Sequence, residues 1–148
     1  MVAVEPSEQM RARARELHAD ATGITWVNDT LPGLEKVHRL GVTFDFILVN
    51  AVWMHVPPAA RRRAFRKLIT LLKPGGRLAI SFRQPDPDRA RSMFACHPDE
   101  FEKLRTPCPI RLVRIGNGDR PNIAYLNRSA RPCFLRSRFE VQVPTRHI

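Results

Sequence analysis

A carboxylate closes a short apolar run close to the first residue of the chain. The segment Val2-Ala3-Val4-Glu5-Pro6-Ser7 predicts a short buried strand that ends at Glu5 and is followed by a helix start. In nucleotide-binding α/β folds, an acidic residue at this position accepts hydrogen bonds from ribose hydroxyls, about 20 residues after a glycine-rich turn. Only four residues precede Glu5. We therefore expect the first strand and the glycine-rich loop of such a fold to be missing here.

Two further polar side chains follow predicted strands. Asp29 comes shortly after the β-branched and aromatic run 23–27, and Asn50 ends the apolar run Phe46 to Val49. Because ligands bind at the carboxyl ends of strands in open α/β sheets, both side chains are candidates for ligand contact. The alternatives are that Asn50 makes only a local turn and that Asp29 is a turn residue or an N-cap.

The residue types that most often perform catalysis give a weaker signal. His55 is a candidate base because imidazole titrates near neutrality, but it precedes Pro57-Pro58, which favours capping or packing at the helix entrance. We assign no catalytic residue. The three cysteines contain no CxxC pair, so we expect no metal site and no disulfide framework. This cysteine usage favours a reduced, cytoplasmic protein.

Composition restricts the class of partner. The chain has 148 residues, of which 43% are hydrophobic, enough for one domain with a core. No apolar run approaches the roughly 18 residues of a membrane span, so no membrane partner is expected. The net charge of +11 makes nucleic acid a possible partner. The charge is scattered, however, and aromatic residues do not interleave with it, so nucleic-acid binding is the weaker hypothesis.

Strands and helices are predicted to alternate over the first half of the chain. Ser7 is a predicted N-cap for a helix to about His18, in which arginines 11, 13 and 15 would mostly face solvent. A second helix fits residues 32–40. The run Phe46 to Val49 is typical of a central parallel strand covered on both faces. This alternation predicts a parallel sheet with right-handed crossovers.

The strongest helix signal begins at Pro57-Pro58. Its apolar stripe is formed by Phe65, Leu68, Ile69 and Leu72, and the arginines 61, 62, 63 and 66 lie largely off this stripe. Further on, a short helix fits residues 97–105. Two strand patterns then flank Gly116-Asn117-Gly118-Asp119, which predicts an antiparallel hairpin, and residues 134–143 are a further strand candidate.

Taken together, these segments resemble the class I S-adenosylmethionine-dependent methyltransferases of the small-molecule type. The most specific stretch runs from Phe44 to Phe82, FDFILVNAVWMHVPPAARRRAFRKLITLLKPGGRLAISF, and includes the Lys73-Pro74-Gly75-Gly76 turn. The resemblance implies an α/β fold with a Rossmann-like, mostly parallel sheet and flanking helices, lacking the first strand and the glycine-rich loop, and ending in an antiparallel hairpin. It implies one partial domain over residues 1–148, with a family-like core over 1–104 and a divergent basic tail over 105–148.

The resemblance also implies roles for individual residues. Glu5 would hold the ribose of S-adenosylmethionine, Asp29 and Thr30 would lie at its adenine, and Asn50 and Ala51 beside its methionine portion. The reaction would be methyl transfer to an acceptor. Asn50-Ala51-Val52-Trp53 does not match the Asn/Asp-Pro-Pro-Tyr/Phe motif of amino-group nucleic-acid methyltransferases, which favours a small-molecule acceptor.

Three hypotheses about activity are compatible with this sequence. The first is a methyltransferase whose recorded start lies too late. The second is an inactive fragment. The third is a basic module that contacts nucleic acid or another protein.

Overall fold

The computed structural model describes residues 1–82, 93–97, 99–105, 110–115 and 122–128. The elements follow in chain order: β1 (Val2–Val4), α1 (Glu8–Leu17), β2 (Thr25–Val27), α2 (Glu35–Arg39), β3 (Phe44–Asn50), a 3₁₀ turn (Trp53–His55), α3 (Pro58–Thr70), β4 (Leu72–Phe82), α4 (Asp99–Leu104), β5 (Ile110–Ile115) and β6 (Asn122–Arg128). Within this part of the chain, no helix has both the length and the apolar character needed to cross a membrane.

The described strands form two sheets. β1 pairs in parallel with β2, and the second sheet has the order β3-β4-β6-β5. β3 and β4 are parallel, with Phe46 opposite Arg77, whereas β6 is antiparallel to both β4 and β5. The predicted α/β class, the parallel pairing of Phe46–Val49 and the antiparallel C-terminal pair are confirmed. The turn 116–119 and the strand candidate 134–143 lie outside the described residues.

α1 begins where its capping residue predicts. The Ser7 hydroxyl oxygen accepts the Met10 N–H at 3.3 Å, which satisfies one of the helix's free amides. The expectation that the arginines of α1 face solvent is wrong for Arg11, which is buried. Its guanidinium donates to the carbonyl oxygens of Glu5 at 2.7 Å and Pro6 at 3.3 Å, and it pairs with Glu8. These acceptors offset the cost of removing the charge from water.

α3 supplies the centre of the core. Pro58 occupies its first turn, where a missing N–H costs nothing. Phe65, Leu68 and Ile69 are buried as predicted, and they share one apolar cluster with Leu78 and Ile80 of β4. Burying each such side chain contributes about 1.5–3 kcal/mol.

The same cluster joins the two sheets. Val27 of the first sheet and Val49 of the second belong to it, with Val2 and Ile47 packed at its edge. β3 is covered on this face alone, because Phe46 and Leu48 are 51% and 59% exposed. The prediction that this run is covered on both faces is therefore wrong. The alternating exposure has the two-residue period of a half-buried strand.

The Lys73-Pro74-Gly75-Gly76 turn forms the irregular start of β4. Gly75 has a φ of 82°, in the left-handed region that favours glycine. A side chain at Gly76 would come within 3.0 Å of the Phe44 carbonyl oxygen. The two glycines thus allow β4 to approach β3 directly after the helix.

α4 is attached to the core by an aromatic cluster. The ring of Phe101 lies 5.4 Å from that of Trp53, 6.4 Å from Phe65 and 5.6 Å from Phe82. Tilted ring pairs at these distances are favourable beyond the area that they bury. α4 therefore closes the core against α3 and the end of β4.

Arg61 reinforces this attachment. Although it was predicted to lie off the apolar stripe of α3, it is buried. It is only 3% exposed. Its guanidinium donates to the carbonyl oxygens of Val56 at 3.0 Å and Ala95 at 2.9 Å, to Glu100 at 2.8 Å and to the Cys96 sulfur at 3.3 Å. Burial raises the pKa of the Cys96 thiol, against a smaller opposing effect of Arg61.

Candidate functional site

Polar residues follow the carboxyl ends of three strands, each of which belongs to a parallel pair. Glu5 comes directly after β1, Asp29 lies two residues after β2, and Asn50 is the last residue of β3. This end of a parallel sheet is where α/β folds bind ligands.

Glu5 has one carboxylate oxygen fixed by the protein. Its Oε1 accepts the Ser7 N–H at 2.8 Å, and its backbone N–H donates to the Val27 carbonyl oxygen at 3.1 Å. The Arg11 guanidinium donates to the Glu5 carbonyl oxygen. Among the described residues, no donor reaches the second carboxylate oxygen of Glu5. The side chain is therefore oriented while retaining acceptor capacity.

Asp29 is engaged by the backbone of α2. Its Oδ2 accepts the N–H groups of Lys36 at 2.7 Å and Val37 at 3.0 Å, and its Oδ1 accepts the Thr30 N–H at 2.9 Å. Leu34, which precedes α2, makes no capping contact of its own. The contacts fit the helix-cap interpretation of Asp29. A carboxylate accepts about four hydrogen bonds, so the adenine role of Asp29 and Thr30 stays a prediction.

Asn50 and Ala51 are held by a residue that the sequence did not single out. The Ser81 hydroxyl donates to Asn50 Oδ1 at 2.6 Å and accepts the Ala51 N–H at 2.9 Å. Ala51 has a φ of 53°, which is unusual for a residue with a side chain. The one available signal for Ser81 was a hydroxyl near the end of an otherwise apolar strand.

The predicted residues form two groups. Glu5, Asp29 and Thr30 follow the paired strands of the first sheet, and Asn50 and Ala51 end a strand of the second. In the described ranges, no hydrogen bond joins the two groups. His55 is exposed and lies in the 3₁₀ turn that leads into α3, which fits the helix-entrance interpretation.

Parallel strands with polar residues at their carboxyl ends define the class of Rossmann-like ligand-binding domains. A family model described as a methyltransferase domain matches residues 1–78. The chain belongs to this methyltransferase family, which confirms the resemblance seen in the sequence. A search of curated proteins found no match.

Solved methyltransferase structures share the fold. One is the N-methyltransferase NodS from Bradyrhizobium japonicum WM9 in complex with S-adenosylhomocysteine, with a TM-score of 0.64, 16% identity, and coverage of 86% of this chain and 65% of that one. A second is magnesium protoporphyrin IX methyltransferase from Synechocystis PCC 6803 with bound S-adenosylmethionine, with a TM-score of 0.65, 20% identity, and coverage of 86% and 59%.

An rRNA methylase from Streptococcus thermophilus is similar to the same extent. Its TM-score is 0.61 at 15% identity, and the match covers 86% of this chain and 72% of that one. The chain thus spans between 59% and 72% of the length of these three proteins. At such identities the likeness shows the fold, and two of these proteins are named for different acceptors, magnesium protoporphyrin IX and rRNA.

Proposed function

We propose that this chain binds S-adenosylmethionine at the carboxyl ends of its parallel strands and takes part in methyl transfer to a small-molecule acceptor. Membership of the methyltransferase family supports the reaction class. The observation that carries the proposal is the Glu5 carboxylate, which is oriented by Ser7 and keeps one oxygen without a donor among the described residues.

The polar groups at this end fit the proposed cofactor. A ribose presents two adjacent hydroxyls, and a carboxylate is the side chain that accepts both with charge assistance. Glu5 would hold the ribose, and Asp29 and Thr30 would lie at the adenine. Asn50 and Ala51 would contact the methionine portion, with Ser81 fixing their position.

The cofactor, when bound, supplies an electrophilic methyl group on a sulfonium. The contribution of this chain is positioning, since holding two reactants in line removes much of the entropic barrier. The Ser81 contacts with Asn50 and Ala51 keep the end of β3 in one conformation. Glu5 is kept in one orientation by the backbone of Ser7.

The small-molecule acceptor is favoured by the residues after β3. Asn50-Ala51-Val52-Trp53 lacks the two prolines of the motif typical of amino-group nucleic-acid methyltransferases. The alternative hypothesis of a basic module that contacts nucleic acid is weakened, because Arg61 is buried and unavailable to bind phosphate groups. Magnesium protoporphyrin IX methyltransferase is an example of a fold neighbour named for a small-molecule acceptor.

Calorimetric titration of the 148-residue chain with S-adenosylhomocysteine tests the proposal. Glu5→Ala removes the ribose acceptor and is expected to weaken binding by about tenfold to a hundredfold, since a hydrogen bond to a charged group contributes about 1.5–3 kcal/mol. Glu16→Ala is the matched control: it removes the same charge from an exposed ion pair with Arg13. Its affinity is expected to stay within about twofold of the parent.

Two outcomes would contradict the proposal. One is the absence of heat at millimolar ligand from a sample that shows a cooperative thermal transition. The other is equal weakening by Glu5→Ala and Glu16→Ala, which would indicate a general charge effect. The first outcome would leave the inactive-fragment hypothesis as the better account of this chain.

A further inference from the structure

A groove runs between α2 and the C-terminal half of α3. It has a volume of about 580 Å³ and is lined by His38, Arg63, Arg66, Lys67 and Thr70. Pockets for small molecules usually have volumes of about 300–1,000 Å³. The groove is thus large enough for a small ligand.

The groove lies away from the proposed cofactor site. Thr70 ends α3 and is followed at Leu72 by the start of β4. α3 therefore runs back toward the amino ends of the strands, whereas Glu5 and Asn50 lie at or beyond the carboxyl ends. A ligand in the groove would be a second ligand.

Three cations follow one stripe of α3. Arg63, Arg66 and Lys67 are three and four residues apart, so their side chains share one face of the helix. The described part of the chain provides no carboxylate partner for Arg66 or Lys67. Arg63 lies 3.8 Å from Glu35, but both side chains are about 60% exposed. Such an exposed pair is weak and exchanges readily for another anion.

His38 adds a polar group without a partner. It lines the groove from α2, and its Nε2 atom is buried with no hydrogen-bond partner among the described residues. Buried polar atoms are nearly always paired, and leaving one unpaired costs about 1–3 kcal/mol. Because His38 also lines the groove, a bound anion would change the surroundings of its ring.

From these features, we propose that the groove binds a small anion carrying two or more phosphate groups. Guanidinium and ammonium groups form charge-assisted hydrogen bonds with phosphate oxygens, and Arg66 does so in a bidentate manner. The residues lining the groove include no Phe, Tyr or Trp, so the groove lacks the large aromatic rings on which successive nucleic-acid bases stack. The ligand is therefore a compact phosphate ester or polyphosphate rather than a strand of RNA or DNA.

Titration of the full chain with inorganic pyrophosphate tests the proposal, with binding followed by calorimetry and by NMR of the His38 ring. Saturable binding with a shift of the His38 signals is expected. Arg66→Gln/Lys67→Gln should weaken it by at least about tenfold, through the loss of two charge-assisted contacts. Arg13→Gln/Arg15→Gln on α1 removes the same charge from exposed positions and should change the affinity less than about twofold.

Three outcomes would overturn the proposal: no saturable pyrophosphate binding at millimolar concentration, equal weakening by the two double variants, or unchanged His38 signals at saturation. A short single-stranded RNA is titrated at the same salt concentration. If it binds more tightly than pyrophosphate and loses affinity in Arg66→Gln/Lys67→Gln, the site belongs to nucleic acid instead. Binding of S-adenosylhomocysteine by both variants should match the parent, which separates this test from that of the proposed function.

Discussion

Ala51 shows how a single residue can carry strain at the proposed site. Its φ of 53° is held by the Ser81 hydroxyl and by the Ser81 carbonyl oxygen, which accepts the Ala51 N–H at 3.2 Å. A left-handed conformation costs about 1–2 kcal/mol for a residue with a Cβ. The contacts with Ser81 offset this cost.

Ala51→Gly should therefore stabilise the protein. Glycine adopts positive φ freely, and part of the gain is lost to the greater freedom of glycine in the unfolded chain. We expect an increase of up to about 1 kcal/mol, or about 2–4 °C in Tm, measured by circular dichroism. Ala12→Gly on the exposed face of α1 is the control and should lower the stability by about 1 kcal/mol. A decrease in both variants would show that Ala51 is not strained.

For individual residues, the sequence predicted the position along the strands better than the hydrogen-bond partners. The position of Glu5 after β1 and of Asn50 at the end of β3 follows from apolar runs that are local in the chain. The Ser81–Asn50 contact joins residues 31 positions apart, which no local pattern encodes. The sequence was compatible with either a ligand contact or a helix cap for Asp29, since a carboxylate can accept hydrogen bonds in both roles.

At the scale of the elements, the attachment of α4 to the core depends on the buried guanidinium of Arg61 in α3. Arg61→Ala would leave Glu100 and two carbonyl oxygens without their donor. Removing one partner of a fully buried pair costs about 3–5 kcal/mol, and Glu100 is partly exposed, so we expect a loss of about 2–4 kcal/mol. Urea denaturation measures it. Arg62→Ala, at the neighbouring exposed position, should change stability by no more than about 0.5 kcal/mol. Equal losses of stability in the two variants would contradict the role of Arg61 in holding α4.

The elements themselves were largely predictable. Helical spacing of Phe65, Leu68 and Ile69 and the proline at the first turn predicted α3, and Ser7 predicted the start of α1. The burial of Arg11 and Arg61 was not predictable, because an arginine in a charged run is usually solvated. Only the backbone carbonyls placed around each guanidinium reveal the difference.

For the molecule as a whole, β3 lies at the edge of its sheet among the described strands. The Ala51 N–H points to Ser81 on β4, so the two-residue alternation directs the backbone groups of Phe46 and Leu48 away from β4. Their side chains are also more than half exposed. An exposed apolar edge of this kind favours pairing with another chain.

Phe46→Lys/Leu48→Lys should reduce concentration-dependent self-association, because charge on an edge strand opposes pairing with another chain. Multi-angle light scattering over a concentration series measures the average mass. Met10→Lys/Leu17→Lys introduces the same charge at exposed apolar positions of α1, where the backbone is helical and offers no strand edge. It should have a smaller effect. Equal effects would point to general hydrophobic adhesion.

The backbone N–H groups of β3 point alternately toward β4 and toward solvent. Hydrogen–deuterium exchange should divide this strand into two populations, with Phe46 and Leu48 labelled early and Ile47 and Val49 labelled late. One seven-residue strand would thus contain both unprotected and protected amides.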